Sequence, residues 1–239
     1  MKFKRWAAGI VALLLVFSLG LVACAKPAGG TPEDNPVPAE EEEEEVETES
    51  YKLGFSCINM DNPYYDTLEA SIREAVEEAG STLISKDPKG DSTTQIQQIR
   101  EMISDGIEAI FLCPVDWEKI QPAVTELKES DIKIINLDTQ VQNREDVDAY
   151  IGSDNTSAGV ICGEKLIEAA PDGGQVVILE CTTQNSIIDR INGFEETIAG
   201  EGFEVVARAE TYGEREEAKK QMASILQEQE HITAVMCGN

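Results

Sequence analysis

From residue 51 onward the chain alternates between short apolar runs and longer stretches in which apolar residues recur every three or four positions. The runs at 53–57, 82–85, 107–112 and 132–137 have the length and the β-branched or aromatic content of strands. Between them, Leu68, Ile72, Val76 and Ala79, then Ile96, Ile99 and Ile103, then Ile120, Val124 and Leu127 mark the buried faces of helices over 64–79, 92–104 and 117–129. Gly80 and Gly106 stand where the first two helices should stop. Alternation of this kind predicts parallel strands joined by right-handed crossovers.

After Asp138 a polar stretch leads to Tyr150, and the series restarts. Ala158, Cys162, Leu166 and Ala169 form a helical stripe, as do Ile187, Ile191, Phe194 and Ile198, and then Ala218, Met222 and Ile225. Strands are expected at 176–179, 203–207 and 233–237. The predicted fold class is α/β, with two doubly wound parallel-sheet lobes over 51–138 and 154–239 and a crossover, or hinge, over 139–153.

The first fifty residues break this pattern. Lys2, Lys4 and Arg5 precede eighteen uncharged, mostly apolar residues, 6–23, the mark of an export signal. The run is also long enough to just span a bilayer, so a retained membrane helix is the competing reading. The ending Leu21-Val22-Ala23-Cys24 decides between them: it resembles the bacterial lipobox, in which the cysteine is acylated after cleavage. Residues 1–23 are then a signal peptide. Residues 24–50, rich in Pro, Gly, Thr and Glu, are a solvated acidic tether that cannot bury enough surface to fold.

Charge narrows the partners. The chain carries 46 acidic against 19 basic residues, a net charge of −27, which argues against nucleic acid and against electrostatic adhesion to an anionic membrane. No metal-ligand, nucleophile or phosphate-loop spacing occurs, and the single histidine, His231, has no second ligand near it in sequence; neither a cofactor nor a metal nor an enzyme reaction is read from the chain. With Cys24 set aside, five cysteines remain, an odd number for a disulfide framework. Cys57, Cys113, Cys181 and Cys237 fall at strand ends, where a thiol-lined metal pocket is conceivable and buried free thiols are the simpler expectation.

Candidate chemistry concentrates in residues 56–65, the loop between the first strand and the first helix, which would wall a crevice at the carboxyl ends of the strands. Ser56 and Asn62 can donate and accept hydrogen bonds, and Tyr64 and Tyr65 offer flat apolar faces, a set suited to a small polyhydroxy molecule. The alternative is that both tyrosines simply pack on the lobe.

Together with the lipobox and the tether, Asn62-Pro-Tyr-Tyr65, Asn136-Leu-Asp138, Gly152-Ser-Asp-Asn155, Arg190-Ile-Asn-Gly-Phe194 and Val235-Met-Cys-Gly-Asn239 resemble, in order and spacing, the ribose-binding family of bacterial solute-binding proteins. The resemblance covers residues 51–239. It implies a sugar held between two lobes and handed to an ABC permease, with Ser56 and Asn62 bonding hydroxyls, Tyr64 and Tyr65 stacking on the ring, and Asp138 accepting from neighbouring hydroxyls. Arg190 and Asn239 would close from the second lobe. A helix or turn cap is the alternative for Asp138, and a surface salt bridge for Arg190. Gln184 and Tyr212 lie in plausible loops.

Two departures stand out. Thr139, counted in the ligand set, occupies the position where ribose binders carry an arginine, which puts ribose itself in question. The family pattern also continues beyond Asn239, so the resemblance implies a second lobe incomplete within these residues. The expected protein is a lipid-anchored, extracytoplasmic, monomeric sugar- or polyol-binding component of an ABC importer, or alternatively a sensor presenting ligand to a membrane histidine kinase or chemoreceptor. A lactose-repressor type of regulator would need a basic DNA-binding segment where the export signal stands.

Overall fold

The computed structural model describes residues 49–239; Cys24, the export signal and nearly all of the tether lie outside them. The first lobe runs β1 (Lys52–Ser56), α1 (Pro63–Glu78), β2 (Thr82–Lys86), α2 (Ser92–Ser104), β3 (Ala109–Leu112), α3 (Gln121–Glu129), β4 (Lys133–Leu137) and β5 (Ala149–Ile151). Its sheet has the order β2-β1-β3-β4-β5, every pair parallel. Side chains alternate across it. Ile110, Leu112 and Ile134 pack under α2 and α3 with Ile99, Val124 and Leu127, while Phe55, Phe111 and Leu137 pack on the opposite face with Tyr65 and Val76 of α1. Helices on both faces make the lobe doubly wound.

The second lobe runs α4 (Asn155–Ala169), β6 (Gly174–Glu180), α5 (Asn185–Ile198), β7 (Phe203–Glu210), α6 (Arg215–Glu228) and β8 (Ala234–Cys237). Its described strands form a parallel sheet of order β7-β6-β8. Val176 and Ile178 face α5, whereas Val177 and Leu179 face α6. Helix α4 lies directly on α5, because Gly159 and Gly193 have no side chain: a methyl group at Gly159 would run into the Arg190 carbonyl oxygen, and one at Gly193 into the Thr156 carbonyl oxygen.

Two expectations need correction. The stretch 139–153 is not wholly a crossover, since β5 within it pairs with β4 through Ile135↔Ala149, Asn136↔Tyr150 and Leu137↔Ile151. Three residues with both ends exposed leave little apolar pattern to read. Helix α3 begins at Gln121 rather than 117, because the Asp116 carboxylate accepts from the amides of Glu118 and Lys119 and holds a turn there. Among the described residues no helix is long and apolar enough to cross a membrane.

Candidate functional site

The carboxyl ends of the strands from both lobes border a cleft of about 700 Å³. The first lobe contributes Ile58, Asn62, Tyr64, Tyr65 and Asp138; the second contributes Gln184, Ile187, Arg190, Tyr212 and Asn239. Polar groups therefore face one another across a space large enough for a small molecule.

The entry to α1 is set by Asn62 and Pro63. Asn62 is the N-cap, its Oδ1 accepting from Tyr64 N at 3.0 Å, and Pro63 fills the first helical position, where no amide is missed. Capping uses the carbonyl of this cleft-lining amide and leaves its NH₂ group available to donate. The two tyrosines divide the roles expected of them. Their rings meet edge to face, with centroids 5.0 Å apart. Tyr64 is 54% exposed and presents a free face, whereas the Tyr65 ring belongs to the core and only its hydroxyl acts at the cleft.

That hydroxyl donates to Asp138 Oδ2 at 2.9 Å. Burial first, then the neighbouring Cys113 and Asp138, raise the Tyr65 phenol well above its ordinary range, so it remains a donor. Asp138 is held from several other directions. Its N–H donates to Ile151 O at 2.9 Å, its carbonyl accepts from Tyr150 Oη at 2.6 Å, and Cys113 Sγ lies 3.7 Å from Oδ2. Its φ of +59° is in the left-handed region, which a non-glycine residue keeps only when its surroundings over-determine it. Asp138 is thus not a helix cap. Because Oδ2 is engaged by Tyr65, Oδ1 is the oxygen left for a ligand donor, which modifies the expected acceptance of a hydroxyl pair by both oxygens.

Across the cleft, Arg190 is braced by neutral oxygens: its Nη2 donates to Asn155 Oδ1 at 2.6 Å and its Nη1 to the Gly238 carbonyl. Among the described residues it forms no ion pair, so the surface salt-bridge alternative does not hold. The guanidinium is planted against β8 and α4 with donors to spare. Asn239 follows Gly238 and also lines the cleft.

Two residues of the expected ligand set stand elsewhere. Ser56 is fully buried, its Oγ accepting from Gln95 Nε2 at 3.0 Å. The same Gln95 amide donates to the carbonyls of Cys57 and Cys113 and accepts from Val115 N, tying together the ends of β1 and β3 beneath the cleft. Thr139 is fully buried as well, and its Oγ1 accepts from Ser186 N at 3.1 Å. Neither lines the cleft.

Sequence reasoning missed Ile187 as a lining residue and Cys113 as a neighbour of Asp138, and named Ile58 and Ser153 only within longer stretches. A strand end is the only signal Cys113 carries. Burial pushes the Cys57 thiol up to about 12 and raises Cys113 and Cys181 too, so these three are neutral thiols. Cys162 and Cys237 are exposed, which corrects the expectation of a buried thiol at Cys237. Among the described residues no cluster of three or more His, Cys, Asp or Glu could hold a metal.

Comparison with known proteins agrees with this fold. The ribose import binding protein RbsB of Bacillus subtilis (strain 168) is 24% identical over 190 residues, covering 79% of this chain and 62% of that protein. A solved ABC transporter solute-binding protein from Mycobacterium smegmatis, with bound glycerol, superposes with a TM-score of 0.74 at 24% identity, covering 79% of this chain and 66% of the other. A fructose-binding periplasmic domain of a hybrid two-component system gives 0.73 at 21% identity, with 78% and 63% covered. The chain thus spans somewhat under two thirds of that ribose-binding relative. The profile of the periplasmic binding protein domain matches residues 53–239, and the chain belongs to that family.

Proposed function

We propose that this protein is a lipid-anchored, extracytoplasmic substrate-binding component of an ABC transporter that holds a monosaccharide or related polyol between its lobes. The observation that carries the reading is the opposition of Asp138, on the first lobe, to the braced Arg190 on the second, with the open face of Tyr64 beside them. A carboxylate accepting from one hydroxyl and a guanidinium donating to another read the polar edge of a sugar through charge-assisted hydrogen bonds, each worth about 1.5 to 3 kcal/mol. The exposed tyrosine face suits the C–H side of a ring. Asn62 and Asn239 add amide donors and acceptors at the two walls.

In this reading the protein acts as a monomer, delivers ligand to permease subunits, and carries out no chemical conversion. Its anchor is the acylated Cys24, with residues 24–50 lifting the lobes from the membrane. Cys24→Ala should release the protein from membranes, and an unchanged membrane fraction would favour an uncleaved helix instead. Ligand identity is tested by mass spectrometry of small molecules released from the purified protein. A sugar or polyol in stoichiometric amount supports the reading; a consistently different class of compound overturns it.

A second reading has one specific observation in its favour, the similarity to a fructose-binding domain of a two-component system. In it the same lobes present ligand to a membrane histidine kinase or chemoreceptor. Neighbouring genes discriminate: permease and ATPase genes favour transport, a kinase gene favours sensing.

A further inference from the structure

The helix that carries Arg190 lacks a cap of its own. Its N-cap residue, Gln184, makes no side-chain bond to the first turn, so the amides of that turn would be orphaned unless another group met them. Ile187 N and Ile188 N reach the Gln184 carbonyl. Ser186 N, at the second helical position, instead donates to Thr139 Oγ1, 47 residues earlier in the chain and on the other lobe. Hydroxyl oxygens of N-cap residues bond the second or third amide of their own helix, and here the first lobe supplies that acceptor to the second.

Thr139 is well placed to do this. Its carbonyl accepts from Asn136 Nδ2 at 2.9 Å, and Asn136 Oδ1 accepts from Val141 N, so the backbone leaving β4 is fixed on both sides of it. Both Thr139 and Ser186 are shielded from water. Beside the bond lies a gap of about 370 Å³ bordered by Gln140, Arg144, Asn185 and Asp189, so the lobes are not sealed by broad packing here. One further backbone bond, Trp117 N to Thr183 O at 3.0 Å, joins the first lobe to the loop leading into α5.

We infer that Thr139 is a positioning residue for ligand binding: by capping α5 from the opposite lobe, it holds Asp138 and Arg190 at one separation and orientation. Asp138 is its immediate neighbour, and Arg190 is four residues beyond Ser186 on the same face of α5. The inference rests on the sugar-binding reading of the cleft. A hydroxyl that bonds across the lobes thus stands at the position where the family resemblance implies an arginine.

The test compares wild type with Thr139→Val, which has no acceptor, and Thr139→Ser, which keeps one. Without any ligand, amide hydrogen exchange at Ser186 should quicken about fivefold in Thr139→Val, the effect of losing a typical cap, and stay near wild type in Thr139→Ser. The β4 amides should not change. Titration then uses whichever of D-ribose, D-xylose, D-fructose, L-rhamnose and myo-inositol binds wild type best. Affinity should fall about fivefold in Thr139→Val, mostly through faster dissociation, and recover in Thr139→Ser. Unchanged Ser186 exchange in Thr139→Val overturns the inference. So does a serine variant as impaired as the valine one, or exchange that quickens throughout the first lobe, which would make Thr139 a packing residue. If no panel member binds wild type, the sugar reading fails, while the ligand-free exchange still decides whether the cap exists.

Discussion

In the first lobe Asp138 is fixed by hydrogen bonds from α1 and β5, whereas in the second Arg190 depends on the close approach of α4 to α5 and on the end of β8. The first arrangement is a polar network around a backbone in the left-handed region; the second is a packing arrangement made possible by glycines. A network of this kind tolerates loss of one member at a cost of roughly 1 kcal/mol, because each bond contributes modestly. A helix contact without room for a methyl group is less forgiving. The two walls of one cleft should therefore fail differently when perturbed.

The largest effect is expected at the residue that the first-lobe network holds. Asp138→Ala should weaken ligand binding by roughly 2 to 4 kcal/mol in calorimetry, because ligand donors lose a charged acceptor; a loss below about 0.5 kcal/mol would place Asp138 outside the site. Next comes Gly159→Ala. The added methyl group must push α4 off α5 at the Arg190 carbonyl, at a stability cost of about 2 to 3 kcal/mol, which a denaturant titration of the second lobe would read. If stability is unchanged, the contrast between the lobes is wrong.

Tyr65→Phe probes the network with less force. The ring stays in the core while Asp138 Oδ2 loses its phenolic donor, so affinity should fall by about 1 kcal/mol with little change in melting. An effect as large as that of Asp138→Ala would mean that Tyr65 itself contacts the ligand. The smallest effect concerns acid. Burial would raise the Asp87 pKa, but bonds from the amides of Lys89 and Met60 and from the Lys89 ammonium outweigh it and hold the carboxyl below its ordinary value. A depressed carboxylate contributes stability above its unfolded pKa and loses it as pH falls through the folded one. Below about pH 4 the loop at Met60 should therefore loosen, seen as faster amide exchange there, and Asp87→Asn should remove that pH dependence.

Much of the fold was legible because apolar spacing alone separates strands from helices in an open α/β sheet. Three residues of β5 were not, since a strand that short has no periodicity. At the site, Asn62 and Tyr64 could be placed by pattern at the entry to the first helix, whereas Asp138 and Arg190 came only from the family resemblance. Ser56 and Thr139 could not be excluded by the same means. Successive residues at a strand end take different environments, so Leu137 enters the core, Asp138 faces the cleft and Thr139 is buried against the other lobe. Which environment each takes depends on partners such as Gln95 and Ser186 that are distant in sequence. Tyr212 lines the cleft from a turn with φ of +54°, a placement that no run of neighbouring residues announces.

Calorimetric titration of the protein with a panel of monosaccharides and polyols decides whether this cleft holds a small polyhydroxy ligand between Asp138 and Arg190. At least one should bind at a single site with micromolar or tighter affinity, about −8 kcal/mol or better, and Asp138→Ala should weaken it roughly a hundredfold. Absence of binding across the panel, or binding that Asp138→Ala leaves intact, would contradict this reading.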